Sequence, residues 1–279
     1  MNNCEQRHEG FVSSFDGTQL YTHSYRPKKP IKAVLLVVHG VGEHSGRYQA
    51  FISPMLQAGI ALHFYDLRGH GKSEGQRGHI NAWSDYQQDL NVQIENMSCG
   101  DIPFFILGHS FGSLIVLDFL EQTKRKVCGA IISSSALKPL EVAPAWQKKL
   151  VGLIAKLLPA FPLKLNIDTQ AISRSKEEVS AYQNDPLIHT KVSARWGADV
   201  LRVMRRIEDN VASISASILM THGEPDWLNS SQGTKEFFER LSVEDKTLFI
   251  YPDSYHEPHN DLDSEVVVNG LVDWICHRL

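Results

Sequence analysis

Six short apolar runs recur along the chain at wide intervals, and this recurrence limits the folds that the chain can adopt. Each run is rich in Val, Ile, Leu or Phe and too short for a core helix, so each predicts a strand buried on both faces. Stretches with helical spacing lie between most of the runs and after the last one. Because strands that alternate with helices form parallel sheets, we predict an α/β fold with helices on both faces. The runs cover residues 33–38, 60–65, 103–107, 129–133, 217–221 and 246–251, and the helical stretches cover about residues 47–58, 83–97, 110–123, 230–241 and 264–277.

Two further regions extend and interrupt this pattern. Residues 9–14 and 19–25 flank Asp16-Gly17, which predicts a hairpin adding antiparallel strands at one edge of the sheet. The alternation stops between residues 137 and 213, where prolines punctuate apolar residues at helical spacing. We therefore predict an α/β core at residues 1–136 and 214–279, with residues 137–213 inserted as a helical cap, or lid. Such an insertion would cover the place where α/β sheets bind ligands.

Composition and charge exclude several classes of function. The formal charge of −4 gives no general attraction to nucleic acid. The four cysteines are scattered without CxxC or Cys/His ligand spacing, so neither a disulfide framework nor a zinc site is predicted. Residues 1–7 lack the apolar core of a signal peptide, and no run approaches the about 18 apolar residues that span a bilayer. We expect a cytoplasmic protein that meets membranes only at their surface, while the oligomeric state stays open.

The motif G-x-S-x-G occurs twice, and its surroundings distinguish the two matches. The match at residues 108–112 follows an apolar run and opens an apolar helical stretch. A sharp turn from strand into helix exposes the hydroxyl of the central serine, so we predict Ser110 as a nucleophile. The match around Ser73 lies among further glycines in a polar loop, which predicts a structural role. Its resemblance to a phosphate-binding loop fails because Asp66 replaces the required leading glycine.

A serine hydroxyl needs a base to remove its proton, and the order nucleophile, acid, histidine indicates where to find one. Asp226 follows the run at 217–221, and His256 follows the run at 246–251. Both therefore lie at the same edge of the predicted sheet as Ser110, and we predict that Asp226 orients His256. Glu224 as the acid and His259 as the base remain open alternatives. A metal pair of His256 and His259 would need further ligands at supporting spacing, and none is evident.

A glycine-rich loop after the run at 33–38 completes the predicted site. In His39-Gly40-Val41-Gly42, the backbone N–H of Val41 can turn towards the nucleophile. With the N–H of Phe111 at the start of the next helix, it would form a two-donor oxyanion hole. A glycine turn without a catalytic part is the alternative. The predicted chemistry uses no cofactor and no metal.

Several segments together are more specific than the serine motif. The stretch His-Gly-x-Gly-Glu-His-x-Gly-Arg-Tyr covers residues 39–48, and further segments lie at residues 69–75, 108–112, 173–176, 182–188, 223–226 and 255–256. In these segments the chain resembles the monoacylglycerol lipase family, lysophospholipase-like serine hydrolases of the α/β-hydrolase fold, over about residues 10–279. The resemblance implies a mostly parallel eight-stranded sheet with an inserted cap. It also implies that Ser110, Asp226 and His256 form a catalytic triad.

The resemblance further implies a substrate and a pocket for it. The implied reaction is hydrolysis of monoacylglycerol to fatty acid and glycerol through an acyl-enzyme, with lysophospholipase or general carboxylesterase activity as alternatives. Glu43, Arg47, His109 and Tyr182 would shape the polar pocket for a glycerol-like head group. From the residues alone, an ion pair of Glu43 and Arg47 that anchors the loop is an equally good interpretation.

Two other kinds of protein remain open at this point. A peptidase or amidase with the same triad would need acidic groups in the cap to hold a substrate amine. A non-catalytic binding protein on the same scaffold would have no need for all three triad residues. The acidic groups available to the peptidase are Glu177, Glu178 and Asp185.

The predicted cap contains an amphipathic stretch with two interpretations. Its apolar residues fall on one helical face, and its lysines lie elsewhere, as in helices that bind membrane interfaces. Packing of this stripe on the body of the protein is the alternative, since surface helices generally show such stripes. The stripe consists of Trp146, Leu150, Leu153, Ile154, Leu157 and Leu158, and the lysines are Lys148, Lys149 and Lys156.

Overall fold

The computed structural model describes residues 5–97, 100–140 and 144–279. Cys4, Cys99 and the side chain of Lys148 lie outside the described residues. In the described ranges the strands are β1 (Glu5–Ser13), β2 (Gln19–Pro27), β3 (Ala33–Val38), β4 (Ile60–Tyr65), β5 (Phe104–His109), β6 (Gly129–Ser133), β7 (Pro162–Lys164), β8 (Lys191–Ser193), β9 (Ile218–Gly223) and β10 (Lys246–Tyr251). The α-helices there are α1 (Ile52–Gln57), α2 (Ser84–Asn96), α3 (Phe111–Gln122), α4 (Ala145–Leu157), α5 (Lys176–Asn184), α6 (Ala194–Asp209), α7 (Ser231–Arg240) and α8 (Ser264–Cys276).

Eight strands form one sheet in the order β1-β2-β4-β3-β5-β6-β9-β10. The hairpin of β1 and β2 is antiparallel, as the sequence predicts, and β2 also pairs antiparallel with β4. The remaining pairs are parallel. The predicted mostly parallel eight-stranded α/β sheet is therefore confirmed. Its parallel strands all end at one edge, where the segments after β3, β5, β9 and β10 meet.

The central strands are buried because helices cover both faces of the sheet. Along β3, Val34, Leu36 and Val38 pack into a cluster with residues of α2, α3 and α6. The alternate residues Ala33, Leu35 and Val37 pack into a second cluster with α1 and α8. Successive side chains of a strand point to opposite faces, so two cores form around one sheet. This explains why the strands appear in the sequence as continuous apolar runs.

The predicted helix at residues 47–58 is shorter than expected. Two single 3₁₀ turns, Ser45–Arg47 and Gln49–Phe51, precede α1, which begins only at Ile52. Pro54 gives the reason. In the interior of a longer helix, its ring would clash with the carbonyl of residue 50, whereas the first turn of a helix tolerates proline.

Between β6 and β9 the chain leaves the sheet and forms a mainly helical segment. This segment contains α4, α5 and α6, a 3₁₀ turn at Thr169–Ala171, and the antiparallel pair β7 and β8. The sequence predicts the helices but not β7 and β8, since strands of three residues are too short to show alternation. Val203 and Ile207 of α6 pack into the core cluster that includes α3. Among the helices of the described ranges, none combines the length and apolarity that a bilayer crossing requires.

Candidate active site

Ser110 lies in a sharp turn between β5 and α3. Its φ of 51° is in the left-handed region, which side chains other than glycine rarely adopt, so the backbone is strained there. A Cβ at Gly108 would lie 2.5 Å from the carbonyl oxygen of Gly112, and a Cβ at Gly112 would lie 2.2 Å from that of Val38. Both positions therefore require glycine. The Ser110 N–H donates to the carbonyl of Ser133 at 2.9 Å, which anchors the turn on β6.

The structure brings Ser110, His256 and Asp226 into one hydrogen-bonded series. His256 Nε2 lies 2.9 Å from Ser110 Oγ, and His256 Nδ1 lies 2.7 Å from Asp226 Oδ2. Asp226 follows β9 and His256 follows β10, so three separate segments meet at one edge of the sheet. This geometry lets the Nδ1–H of His256 donate to the carboxylate while Nε2 accepts the proton of the serine hydroxyl.

Asp226 is buried and accepts hydrogen bonds at both carboxylate oxygens. Oδ1 accepts from the backbone N–H groups of Leu228 at 2.8 Å and Asn229 at 3.0 Å. Oδ2 accepts from His256 and also from His222 Nε2 at 2.9 Å. Burial alone would raise the pKa of Asp226, but the two imidazoles lower it below its ordinary value. Asp226 therefore carries a negative charge at neutral pH.

His222 is a site residue that the sequence analysis missed. The available signal is its position four residues before Asp226, directly after the apolar run at residues 217–221. Nothing in that spacing shows that its ring turns back towards the carboxylate.

The charge of Asp226 acts directly on His256. Burial of His256 lowers the pKa of its imidazole, but the adjacent carboxylate and its hydrogen bond outweigh burial and raise that pKa above the ordinary 6.5. The imidazolium that forms when His256 accepts a proton is thereby stabilised.

The turn after β3 lies against the nucleophile. A Cβ at Gly40 would lie 3.3 Å from the Cβ of Ser110, so this turn passes directly beside the serine. Val41 occupies the turn itself. Phe111 is the first residue of α3, so its N–H has no acceptor within the helix. The two amides predicted as oxyanion donors thus belong to the turn after β3 and to the first residue of α3.

Side chains fix the shape of this turn. Glu43 Oε1 accepts from the N–H of Gly40 at 2.6 Å and from the hydroxyl of Tyr48 at 2.8 Å. His39 Nε2 accepts from the N–H of Leu67 at 2.9 Å, so its Nδ1–H donates to the carbonyl of Gly40 at 2.8 Å. The turn is therefore held from two sides by protein side chains.

Arg47 joins this turn to the segment that follows His256. Its guanidinium pairs with Glu43 at 3.2 Å and, through two nitrogens, with Glu257 at 2.5 and 2.8 Å. All three side chains are buried. Burial raises the pKa of Glu257, but Arg47 outweighs burial and lowers that pKa to about 2. The ion pair of Glu43 and Arg47 considered in the sequence analysis is present, and Glu257 is a third member that the sequence analysis missed.

His109 and Tyr182 lie next to these groups and are also buried. The ring of His109 lies 5.1 Å from that of His256, and burial holds the pKa of His109 well below its usual range. The ring of Tyr182, on α5, lies 4.7 Å from the guanidinium of Arg47. The inserted segment therefore contacts the ion network through a cation–π interaction.

The alternative residues lie in other surroundings. Glu224 pairs with Lys235 at 2.8 Å in a solvent-accessible ion pair. His259 stacks on the ring of Tyr48 at 4.8 Å. Ser73 is buried, donates to the carbonyl of Asp66 and accepts from the N–H of Tyr21, which is a structural role. Within the described ranges, no group of three or more His, Cys, Asp or Glu side chains is arranged to hold a metal ion.

A serine at a strained strand–helix turn, on a mostly parallel sheet between helices, defines the class of α/β-hydrolases. The chain belongs to the Hydrolase_4 family, described as serine aminopeptidase S33, whose model matches residues 29–263.

Similarity to individual proteins extends over nearly the whole chain. It is 32% identical over 274 residues to the monoglyceride lipase of Rattus norvegicus, covering 95% of this chain and 89% of that protein. It is 32% identical over 267 residues to an uncharacterized abhydrolase domain-containing protein of Dictyostelium discoideum, covering 95% of this chain but only 28% of that protein. The crystal structure of the monoacylglycerol lipase of Paleococcus ferrophilus superposes with a TM-score of 0.86 at 31% identity, covering 93% of this chain and 99% of that one. The protein is thus an ester hydrolase, and the resemblance that the sequence indicates is confirmed.

Proposed function

We propose that the protein hydrolyses monoacylglycerol to a fatty acid and glycerol. The hydrogen-bonded series of Ser110, His256 and Asp226 at the carboxyl ends of three strands supports this proposal most directly. The rat relative is named a monoglyceride lipase and the Paleococcus ferrophilus relative a monoacylglycerol lipase, and this chain covers 89% and 99% of them.

The reaction proceeds through an acyl-enzyme. Ser110 Oγ attacks the ester carbonyl while His256 Nε2 takes the hydroxyl proton, and His256 then gives this proton to the departing glycerol oxygen. A water molecule attacks the acyl-enzyme, again with His256 as base, which releases the fatty acid and restores Ser110. The N–H groups of Val41 and Phe111 stabilise the oxyanion of each tetrahedral intermediate.

The polar end of the site favours an uncharged head group. The residues around this end are Glu43, Arg47, His109 and Tyr182. The guanidinium of Arg47 is already paired with the carboxylates of Glu43 and Glu257. A phosphate would find no unpaired guanidinium there, which argues for glycerol over a lysophospholipid head group.

The carboxylates that would favour a peptidase are not gathered into a site for an amine. Asp185 accepts from His44 at 2.8 Å, and Glu177 is exposed to solvent. Only Glu178 remains partly buried near Arg47. The contacts therefore favour an ester substrate over a peptide.

Residues 137–213 act, in this proposal, as a cap over the reacting groups. The carbonyl of Gly42 accepts from the N–H of His189, so the insertion packs directly on the turn that contains Val41. Tyr182 adds the contact with Arg47. The cap thus touches both the oxyanion turn and the polar end of the site.

We propose that the cap also gives the protein a surface for peripheral contact with membranes. In this proposal the protein acts in the cytoplasm and the membrane surface is its partner. The side chains of Trp146, Leu150, Leu153 and Leu157 on α4 are exposed, from 46% to 72%, and do not pack on the body. The opposite face of α4, which includes the buried Ala155, packs against α6. A groove beside this apolar face is lined by basic side chains, which favours anionic lipid. The basic side chains are Lys149, Arg202, Arg205 and Arg206; the acidic Asp209 also lines the groove, and Arg202 and Arg206 pair with Asp199 and Asp118.

A substrate panel tests the proposed function. Monoacylglycerols, lysophospholipids, short esters and aminoacyl amides are offered to the native protein and to Ser110→Ala. We expect monoacylglycerols to be hydrolysed with the highest kcat/KM and Ser110→Ala to lose about 10⁴-fold or more of the activity. Faster turnover of amides would support a peptidase instead. A native protein that neither hydrolyses the panel nor reacts with a fluorophosphonate would be a binding protein on this scaffold.

A further inference from the structure

The triad does not end at Asp226. His222, the residue before the end of β9, is fully buried, and its Nε2 lies 2.9 Å from Asp226 Oδ2. The same oxygen accepts from His256 Nδ1 at 2.7 Å. On the far side of the ring, His222 Nδ1 lies 2.7 Å from the hydroxyl oxygen of Thr234 on α7. One carboxylate oxygen is therefore shared by two imidazoles, and one of them is anchored to a core helix.

The contacts fix which nitrogen of His222 carries its proton. An ionised carboxylate only accepts hydrogen bonds, so Nε2 of His222 must be the donor to Asp226. In the neutral ring Nδ1 then accepts, and its partner is the hydroxyl of Thr234, which is itself buried. The carboxylate of Asp226 thereby selects the tautomer of His222, and the hydroxyl of Thr234 supplies the hydrogen bond that this tautomer accepts at Nδ1.

We propose that His222 is a positioning residue of the ester hydrolase reaction, anchored at its Nδ1 by the hydroxyl of Thr234. This inference rests on the proposed function, because it assigns His222 its effect through Asp226 and His256. His222 contacts neither Ser110 nor the position of the ester carbonyl, so it acts only by adjusting the acid.

The effect on the acid follows from how the carboxylate is held. Backbone N–H groups of Leu228 and Asn229 fix Oδ1, while the donors to Oδ2 among the described residues are the two imidazoles. A donor at Oδ2 withdraws part of the charge that attracts the proton of His256. Without it, His256 would hold its proton more tightly. Base catalysis would then begin only at higher pH.

The pH dependence of kcat/KM on a soluble ester tests this role. The variants are His222→Leu, which removes the donor, His222→Gln, whose amide can donate to Oδ2, and Thr234→Val, which removes the hydroxyl at nearly constant shape. Met220→Leu, a buried change in the same strand, is the matched control. Rates are normalised to active sites titrated by the acyl-enzyme burst, so that unfolded protein does not count.

We expect His222→Leu to move the acid limb of the profile upward by about one pH unit, the size of effect produced by losing one hydrogen bond to a charged group. Thr234→Val should move the acid limb upward by a smaller amount. In His222→Gln the acid limb should lie close to its native position, and in Met220→Leu it should stay at the native position. Acid limbs at the native position in both His222→Leu and Thr234→Val would overturn the proposal and leave His222 a packing residue. Absence of Ser110-dependent hydrolysis in the native protein would instead overturn the proposed function itself.

Discussion

At the scale of single residues, the charge of Asp226 determines whether His256 can act as a base. Asp226→Asn removes that charge and leaves the Nδ1–H of His256 without its ionised acceptor. We expect kcat/KM to fall about 10⁴-fold, as when the tautomer of a triad histidine is lost. Because the carboxylate raises the pKa of His256 above 6.5 in the native protein, the residual activity should have its acid limb at lower pH. Steady-state rates over a pH series measure both effects.

A neighbouring carboxylate serves as the control for this change. Glu224 lies two residues before Asp226 but pairs with Lys235 at the surface. Glu224→Gln should therefore retain the native rate and the native pH profile. A loss in Glu224→Gln equal to that in Asp226→Asn would contradict the assignment of the acid.

The residues that meet at the site differ in how well they can be predicted from the sequence. Ser110 is predictable because its motif, the preceding strand and the following helix are contiguous. Asp226 and His256 are predictable from chain order, since each follows a buried strand of the same sheet. Glu257 is not, because its partner Arg47 lies 210 positions away and only the folded chain shows the pair.

At the scale of elements, the network of Glu43, Arg47 and Glu257 joins the segment after β3 to the segment after β10. Arg47→Met would leave two buried carboxylates without a cation, and we expect the free energy of unfolding at pH 7 to fall by about 3–5 kcal/mol. Glu257 has a pKa of about 2 when folded against an ordinary 4.5, so its contribution is present above pH 4.5 and is lost as the pH falls towards 2. The difference in the free energy of unfolding between the native protein and Arg47→Met should therefore become smaller as the pH falls from 4.5 towards 2.

Urea unfolding at pH 7, 4.5 and 3 measures this deficit. The exposed pair of Arg125 and Glu95 provides a control, since Arg125→Met removes a cation from solvent-accessible surroundings and should cost under about 1 kcal/mol. A deficit in Arg47→Met that stays constant across these pH values would show that lost packing, and not unpaired charge, causes the destabilisation.

The long elements are largely predictable, while the short ones depend on tertiary contacts. β3 to β6 appear in the sequence as apolar runs because both of their faces are buried. The breaks before α1 and the pair β7 and β8 are not predictable in the same way. Each consists of three-residue units, which are too short to show a helical or alternating period, and β7 also pairs with a strand that lies about 30 positions further along the chain. The sequence likewise leaves open which way α4 turns its apolar stripe, because an exposed and a buried stripe have the same periodicity.

At the scale of the whole molecule, charge and apolar surface are distributed unevenly. The chain has a formal charge of −4, yet Lys149, Arg202 and Arg205 lie together beside the exposed stripe of α4. In the proposed membrane role, a protein with this distribution would approach an anionic surface with residues 137–213 first. The same inserted segment contacts the turn after β3 through His189 and Arg47 through Tyr182, so the proposed lipid-binding surface and the contacts with the site belong to one segment.

This arrangement predicts that membrane binding and chemistry can be separated by mutation. Leu153→Ser and Leu157→Ser each remove an exposed leucine from the stripe, and we expect each to weaken binding to phosphatidylglycerol-containing vesicles by about tenfold to a hundredfold, since burying one such side chain contributes about 1.5–3 kcal/mol. Turnover of a short soluble ester should stay near the native rate, because neither leucine touches Ser110 or His256. Val266→Ser, at an equally exposed position on α8, is the matched control and should leave vesicle binding unchanged. Vesicle flotation and ester assays on the same preparations give both quantities, and an equal loss of binding and turnover would show that the stripe supports the fold instead of the interface.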